Sequence, residues 1–471
     1  MTSPEAWLRR QATVSPHDIA LIVQGRGRSF AQLDRQIDQL AQALLDFDAQ
    51  PGRPLGCVTE CAESLALLSL AAPRAGMPLL PVNPKLAPSQ IDALFAKAGV
   101  DIAVCDNPQD FSTPRRRIDL AEMSAFSADA PARSADAESV HLIIATSGST
   151  GTPKGAMLTG RNLAAAVRAS RQRLPIGPGD IWLACLPMYH IGGLSMIFRC
   201  VEAAATTLLH PRFDARAVAA ELESGRITHI SLVPAMLAQL LDVGCRPSEN
   251  LRFVLVGGAS LPAALAEKAA TAGWPICPSY GMSEAGSQVA TCVSAKDWQP
   301  GMAGEPLPGI ELGTSPSGRI RLRGPSVMAG YVNPTLAPGD GLDGDHWFET
   351  SDLGGLDGAG RLQVLGRADD LLISGGENIH PAVVEDLAGH CPGVLSIGIS
   401  GRPNPTWGEL LVAVVVGEVG ETDFLGWCRA NIASHQRPRE VIKVDALPMT
   451  SGGKLDRAAL RRLVIRVYPS S

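Results

Sequence analysis

Apolar residues return along this chain in two rhythms. Short unbroken runs, the mark of buried strands, alternate with stretches where they recur every three or four positions, the mark of helices. ALIVQGRGRSF predicts a strand, a tight glycine turn and a returning strand. Ser29 then opens a helix, with Gln32 three residues on completing a capping box and Leu33, Ile37, Leu40 and Leu44 at helical spacing. GMPLLPVNPKL, from Gly76, predicts a strand or extended segment broken by prolines, and VDIAVCD, from Val100, a short buried strand. Leu142, Ile143, Ile144 and Ala145 form another such run. DIWLACLPMYH, ITHISLVPAMLAQLL, LRFVLVGGAS and WPICPSYGMSEAG each predict a strand that ends in polar, glycine or proline residues. Strands alternating with helices imply layered α/β packing, and turns at strand ends are where open α/β sheets bind ligands. Residues 124 to 139, polar and small, predict a surface loop.

The texture changes near Gly309. GRIRLRGPSVMAGY and GRLQVLGRADDLLIS carry short strands and glycine turns. PAVVEDLAG predicts a helix with Pro381 in its first turn, GELLVAVVV a strand, and WCRANIASH a helix. This tail predicts a small α+β domain, with the boundary near GRADD, residues 366 to 370.

The whole chain, 471 residues and 45% apolar, is long enough for a large domain and a smaller one. Its net charge of −6, without a basic tract interleaved with aromatics, argues against a nucleic-acid surface. The ten cysteines form no C-x-x-C pair, which argues against zinc or a disulfide framework and for a reducing cytoplasm. The first residues lack a hydrophobic signal core, and no apolar run reaches the roughly 18 residues of a membrane span.

IIATSGSTGTPKG is the segment richest in chemistry. Its glycines let backbone N–H groups face one anion, while Thr146, Ser147, Ser149, Thr150 and Lys154 add donors. A phosphate chain is the ligand such a loop suits. It is not a Walker A loop, because no Ser or Thr follows the lysine. Glu284 in YGMSEAG can hold Mg²⁺ beside phosphates, or be a solvated helix-end glutamate. Tyr280 can stack on a base or simply pack in the core. Gly257 and Gly258 in VGGAS allow a flat ring to approach the backbone. Asp352 suits ribose hydroxyls or a turn; Arg367 suits a phosphate or a surface ion pair. Lys454, on the glycine-flanked tip TSGGK, can reach another domain's cleft or stay in solvent.

Taken in order, TSGSTGTPKG, YGMSEAG, TSDLG, GRADD and TSGGK resemble the motifs of adenylate-forming enzymes, which include acyl-CoA synthetases, luciferases and carrier-loading adenylation domains. The likeness spans nearly the full chain. It implies a large domain over about residues 1–366, built of α/β subdomains and a distorted β-barrel, and a mobile α+β lid over 367–471. It further implies ATP, Mg²⁺ and coenzyme A as partners of a carboxylic acid. The phosphate loop is then Thr146, Ser147, Ser149, Thr150 and Lys154; Gly258, Ala259 and Ser260 line the adenine and acyl side; Tyr280 stacks on adenine. Ser283 and Glu284 meet the α-phosphate and Mg²⁺, Asp352 and Arg367 the ribose and phosphate, and Asp369 is the hinge. Lys454 bridges carboxylate and phosphate, and His190 gates the acyl pocket. Two departures stand out: Ser283 replaces the usual Thr, and Ser351 replaces the glycine of TGD, with some loss of turn freedom expected.

Within that superfamily, LPMYHIGGLSMIF, LLHPRFDA and LLISGGENIHPAVVED look most like the 2-succinylbenzoate–CoA ligases of menaquinone synthesis. General fatty or aryl acid CoA ligases, a stand-alone carrier-loading enzyme and a non-catalytic binding protein are the alternatives, and a homodimer is compatible with the likeness. A second carboxylate would need a donor, and Ser195, Arg199 and Arg212 are available in the sequence without a place that the pattern assigns them.

Overall fold

The computed structural model describes residues 3–47, 50–106, 111–113, 116–119, 134–146, 154–293, 298–405, 407–450 and 453–468. Three sheets organise them.

The first sheet has seven strands. Leu55–Val58, Leu79–Val82, Ile102–Cys105, Arg116–Asp119 and Val140–Thr146 run parallel; Lys154–Thr159 and Gly330–Tyr331 continue it antiparallel. Pro81 does not break its segment as expected but sits inside the strand, opposite Cys57. Its missing N–H is tolerated because the ladder on the other side is confined to Leu79 with Leu142.

The second sheet has thirteen strands and two characters. Ile19–Val23, Thr206–Leu209, Ile181–Ala184, His229–Leu232, Phe253–Val256 and Ile276–Met282 lie side by side in parallel. Beyond Ile276–Met282 it turns antiparallel through Ser287–Thr291, Met302–Pro306, Leu362–Arg367, Phe348–Leu356, Arg319–Arg323 and Glu311–Thr314. One continuous apolar core, from Trp7 to Phe348, joins the two sheets through the helices between them. The capping box at Ser29 and Gln32 forms as predicted and starts the helix Phe30–Asp46, which buries Leu33, Ile37 and Leu44.

From Leu372 onward the described residues carry a third sheet, with Leu372–Ser374, Glu377–Ile379, Val394–Asn404, Gly408–Gly417 and Glu440–Lys443 around two apolar clusters of its own. Gly375 and Gly376 turn its first hairpin with φ of 61° and 83°, a two-residue turn closed to most side chains. The helix Pro381–Gly389 matches its prediction. The helix expected from Trp427 differs: it runs Glu421–Asn431, and Ser434–Gln436 makes a separate 3₁₀ turn. Polar residues ETD open it, so the apolar rhythm alone placed its start too late. Among the described residues no helix is long and apolar enough to cross a membrane.

Candidate active site

The site residues gather outside the carboxyl ends of the parallel strands, where the two large sheets face each other. Val140–Thr146 delivers Thr146, which pairs with Lys154 at the start of the next strand. Ser147, Ser149 and Thr150 lie outside the described residues. Ile181–Ala184 leads to His190, and Phe253–Val256 leads to Gly257 and Gly258, followed by Ala259 and Ser260. Ile276–Met282 carries Tyr280 and runs into the 3₁₀ turn Ser283–Ala285 that holds Glu284. Gly258 has φ +80°, and a side chain there would meet Val233 and Lys454.

Hydrogen bonds and charge tie these residues together. The Tyr280 hydroxyl donates to Asp352 at 2.6 Å. Asp352 sits mid-strand opposite Arg367, and its N–H donates to the Thr350 hydroxyl at 3.0 Å. Ser351 is ordinary extended strand without positive φ, so the turn freedom expected to be lost is not needed there. Arg367 also pairs with Asp369 at 3.4 Å, with both side chains 44% exposed.

Tyr331, which the sequence reading missed, joins the sheets. Its hydroxyl donates to Glu284 at 2.9 Å, and the Lys154 ammonium lies 4.9 Å from its ring centroid. Burial pushes the Glu284 carboxyl upward; the Tyr331 hydrogen bond and Lys154 pull it back, and Asp352 adds to the rise. A desolvated carboxylate with a second acid and a lysine nearby is a donor set that would suit a divalent cation with further oxygen ligands. Nothing in the sequence around Tyr331 marks it, because its partner lies 47 residues away on another sheet.

Lys454 enters from the third sheet. Its tip is closed by the Met449–Leu455 bridge and by the Thr450 N–H to Lys454 carbonyl bond at 2.7 Å. Burial lowers its pKa, and Arg367 adds to this, while Asp352 and Glu284 oppose it. His190 is lowered to about 4 by burial and then by Lys454, so it is neutral near pH 7. His190, Lys454, Asp352, Glu284 and Arg367 therefore share one electrostatic neighbourhood.

Behind the Glu284 turn lies a second group. Arg199, on the helix Ile191–Ala203, is 3% exposed and stacks 5.3 Å from the Trp182 ring centroid. It donates to the Ser287 hydroxyl at 3.2 Å, and Ser195 lies 3.5 Å from the same oxygen. Its Nε has no partner, and among the described residues no carboxylate pairs with the guanidinium, which burial pulls down to about 10. Ser287 holds a φ of 118°, rare for a residue with a side chain. Arg212 is exposed and stands apart.

Comparison with known proteins agrees with this arrangement. Residues 8–332 match the AMP-binding enzyme family model and residues 383–454 its AMP-binding enzyme C-terminal domain. The chain is 33% identical over 463 residues to the 2-succinylbenzoate–CoA ligase of Listeria monocytogenes, covering 97% of this chain and 98% of that one. Among solved structures it resembles the o-succinylbenzoate CoA synthetase of Bacillus subtilis at 31% identity. The TM-score is 0.87 against the complex with its acyl-adenylate, over 96% of this chain and 97% of that one. It is again 0.87 against the complex with ATP and magnesium, over 96% and 98%. Against a double mutant of that synthetase bound to a product analogue it is 0.73, at the same identity, over 97% and 98%. On the extent of these matches, the chain belongs to the AMP-binding enzyme family.

Proposed function

We propose that the protein is an AMP-forming carboxylic acid–CoA ligase acting on 2-succinylbenzoate. In the first step a carboxylate oxygen attacks the α-phosphorus of ATP, the bond to the bridging oxygen breaks and pyrophosphate leaves with the electron pair. Lys154 and the donors of residues 146–150 hold the departing phosphates. Lys454 offsets charge where carboxylate and α-phosphate meet. Tyr280 and Gly258 offer flat surfaces to the adenine, and Asp352 accepts from the ribose. Glu284 would hold magnesium, which supplies positive charge to the phosphate oxygens. In the second step the CoA sulfur attacks the acyl carbon, AMP leaves and the thiol proton is released.

Lys454 fills the cleft in the first step and stands in the thiol's way in the second. We place the boundary between residues 366 and 367 and the hinge at Asp369, so that the lid turns between steps. The lower TM-score against the product-analogue-bound double mutant of the Bacillus subtilis synthetase than against its adenylate-bound form supports a change of shape between the two steps. We also place the protein in the cytoplasm, where its ten free cysteines would stay reduced.

The observation that carries the substrate is Arg199. A buried guanidinium without a carboxylate is costly unless a ligand supplies one, and 2-succinylbenzoate brings a second carboxylate on an aromatic body. The test compares kcat/KM for 2-succinylbenzoate, benzoate and octanoate, with AMP and ADP both measured. The wild type should release AMP and favour the diacid by about 10⁴-fold. Arg199→Met should lose most of that preference while keeping activity on benzoate. Equal or better use of octanoate or benzoate by the wild type rules out the diacid, and release of ADP rules out the ligase chemistry.

A further inference from the structure

The third sheet and its helices touch the large domain at both ends of one loop. This loop, residues 257–262, leaves the strand Phe253–Val256 and enters the helix Ala263–Thr271. At its start, the Lys454 Cε lies 3.7 Å from where a Gly258 side chain would begin. At its end, the Asp386 carboxylate accepts the Ala263 N–H at 2.9 Å.

That second contact completes a helix that cannot cap itself. Pro262 occupies the N-cap position and provides no side-chain acceptor. The first amides of a helix have no partner inside it, and a carboxylate placed there also meets the positive end of the helix dipole. The neighbouring acid cannot take over: Glu385 accepts from the Ile399 N–H at 2.7 Å and is bound by Arg457, both within the lid. Asp386 alone of this pair faces the large domain.

We infer that Asp386 is a positioning residue for Lys454, a cap lent across the hinge that holds the lid in the arrangement where the lysine occupies the cleft. Turning the lid breaks this bond, because its two partners lie on opposite sides of Asp369. The bond therefore favours the first half-reaction and must be given up for the second. This rests on the role assigned to Lys454 under the proposed function.

Full-length Asp386→Ala and Asp386→Asn separate the possibilities. Single-turnover pyrophosphate release measures the first step; thioester formation from supplied acyl-adenylate measures the second. Asp386→Ala should slow the first by about tenfold, the scale of a lost helix cap, and leave the second unchanged or faster. Asp386→Asn should stay near wild type, since its amide oxygen still accepts. Protease cleavage between residues 367 and 376, with ATP present, should be faster in Asp386→Ala than in the other two proteins. Equal loss in both steps, no loss in Asp386→Ala, an Asn variant as slow as Ala, or identical cleavage rates would each overturn the inference. Failure of the ligase reading would look different: wild type itself would yield ADP, or would be indifferent to Lys454.

Discussion

Lys454 carries a charge into surroundings that oppose it. Burial and Arg367 favour the neutral amine, and only Asp352 and Glu284 hold the proton on. If Lys454 has the role proposed for it, the first half-reaction needs the ammonium, and its rate should fade on the alkaline side below the usual lysine value of about 10.4. Any activity left in Lys454→Arg should lack that limb, because a guanidinium keeps its proton. Lys454→Ala should lose about 10²-fold or more in pyrophosphate release, while thioester formation from supplied adenylate survives. Equal loss in both steps would contradict the role given to this lysine. His190, neutral down to about pH 4, should impose no acid limb near pH 6.5. At this scale the motifs made Lys154, Glu284, Tyr280, Asp352 and Lys454 visible as candidates, because glycines and hydroxyls around a charge stand out in a chain. Tyr331 and Ser287 carry no such context, and their importance rests on what folding brings beside them.

The hairpin Ile276–Met282 and Ser287–Thr291 serves two groups of side chains. Its turn presents Glu284 to Tyr331, and its far strand presents Ser287 to Arg199. Gly281 makes this closeness possible: a side chain there would begin 1.8 Å from the Ser287 carbonyl oxygen. Gly281→Ala should therefore destabilise the protein by about 1–3 kcal/mol, the range for forcing atoms into a packed interior. It should also reduce the preference for the diacid, since Ser287 must shift. Denaturant unfolding and kcat/KM for two acids check both effects; a stable variant with unchanged preference would show that the hairpin does not set the surroundings of Arg199. The strands themselves were legible because short apolar runs admit few alternatives. Pro81 inside a strand and the early start of the helix Glu421–Asn431 were not, since each depends on neighbours: a ladder that leaves one N–H unneeded, and a polar first turn that packing does not require.

For the whole molecule, the proposed hinge joins the large sheets to the third sheet. The 3₁₀ turn Ala368–Asp370 connects the last strand of the thirteen-stranded sheet to the first strand of the third. Asp370 lies 3.7 Å from Arg457, at the start of the helix that follows the Lys454 tip, so this turn and the tip are linked through an ion pair. Asp369→Pro removes an N–H and fixes φ near −65°. If the lid turns about Asp369 as proposed, thioester formation should fall more than adenylation in this variant. Separate single-turnover measurements decide it, and normal rates in both steps would place the hinge elsewhere.

Local chemistry made the alternating strands and helices, the phosphate-loop composition and the ordered motifs readable along the chain. Burial of apolar runs, turn formation by glycine and anion binding by backbone and hydroxyl donors all act over a few residues, so they leave marks in order. The joining of Tyr331 to Glu284, of Arg199 to Ser287 and of Asp386 to the Ala263 amide left no mark. Their partners lie 47, 88 and 123 residues apart, and no local pattern encodes a contact whose energy comes from desolvation inside a cleft made by two sheets and a lid.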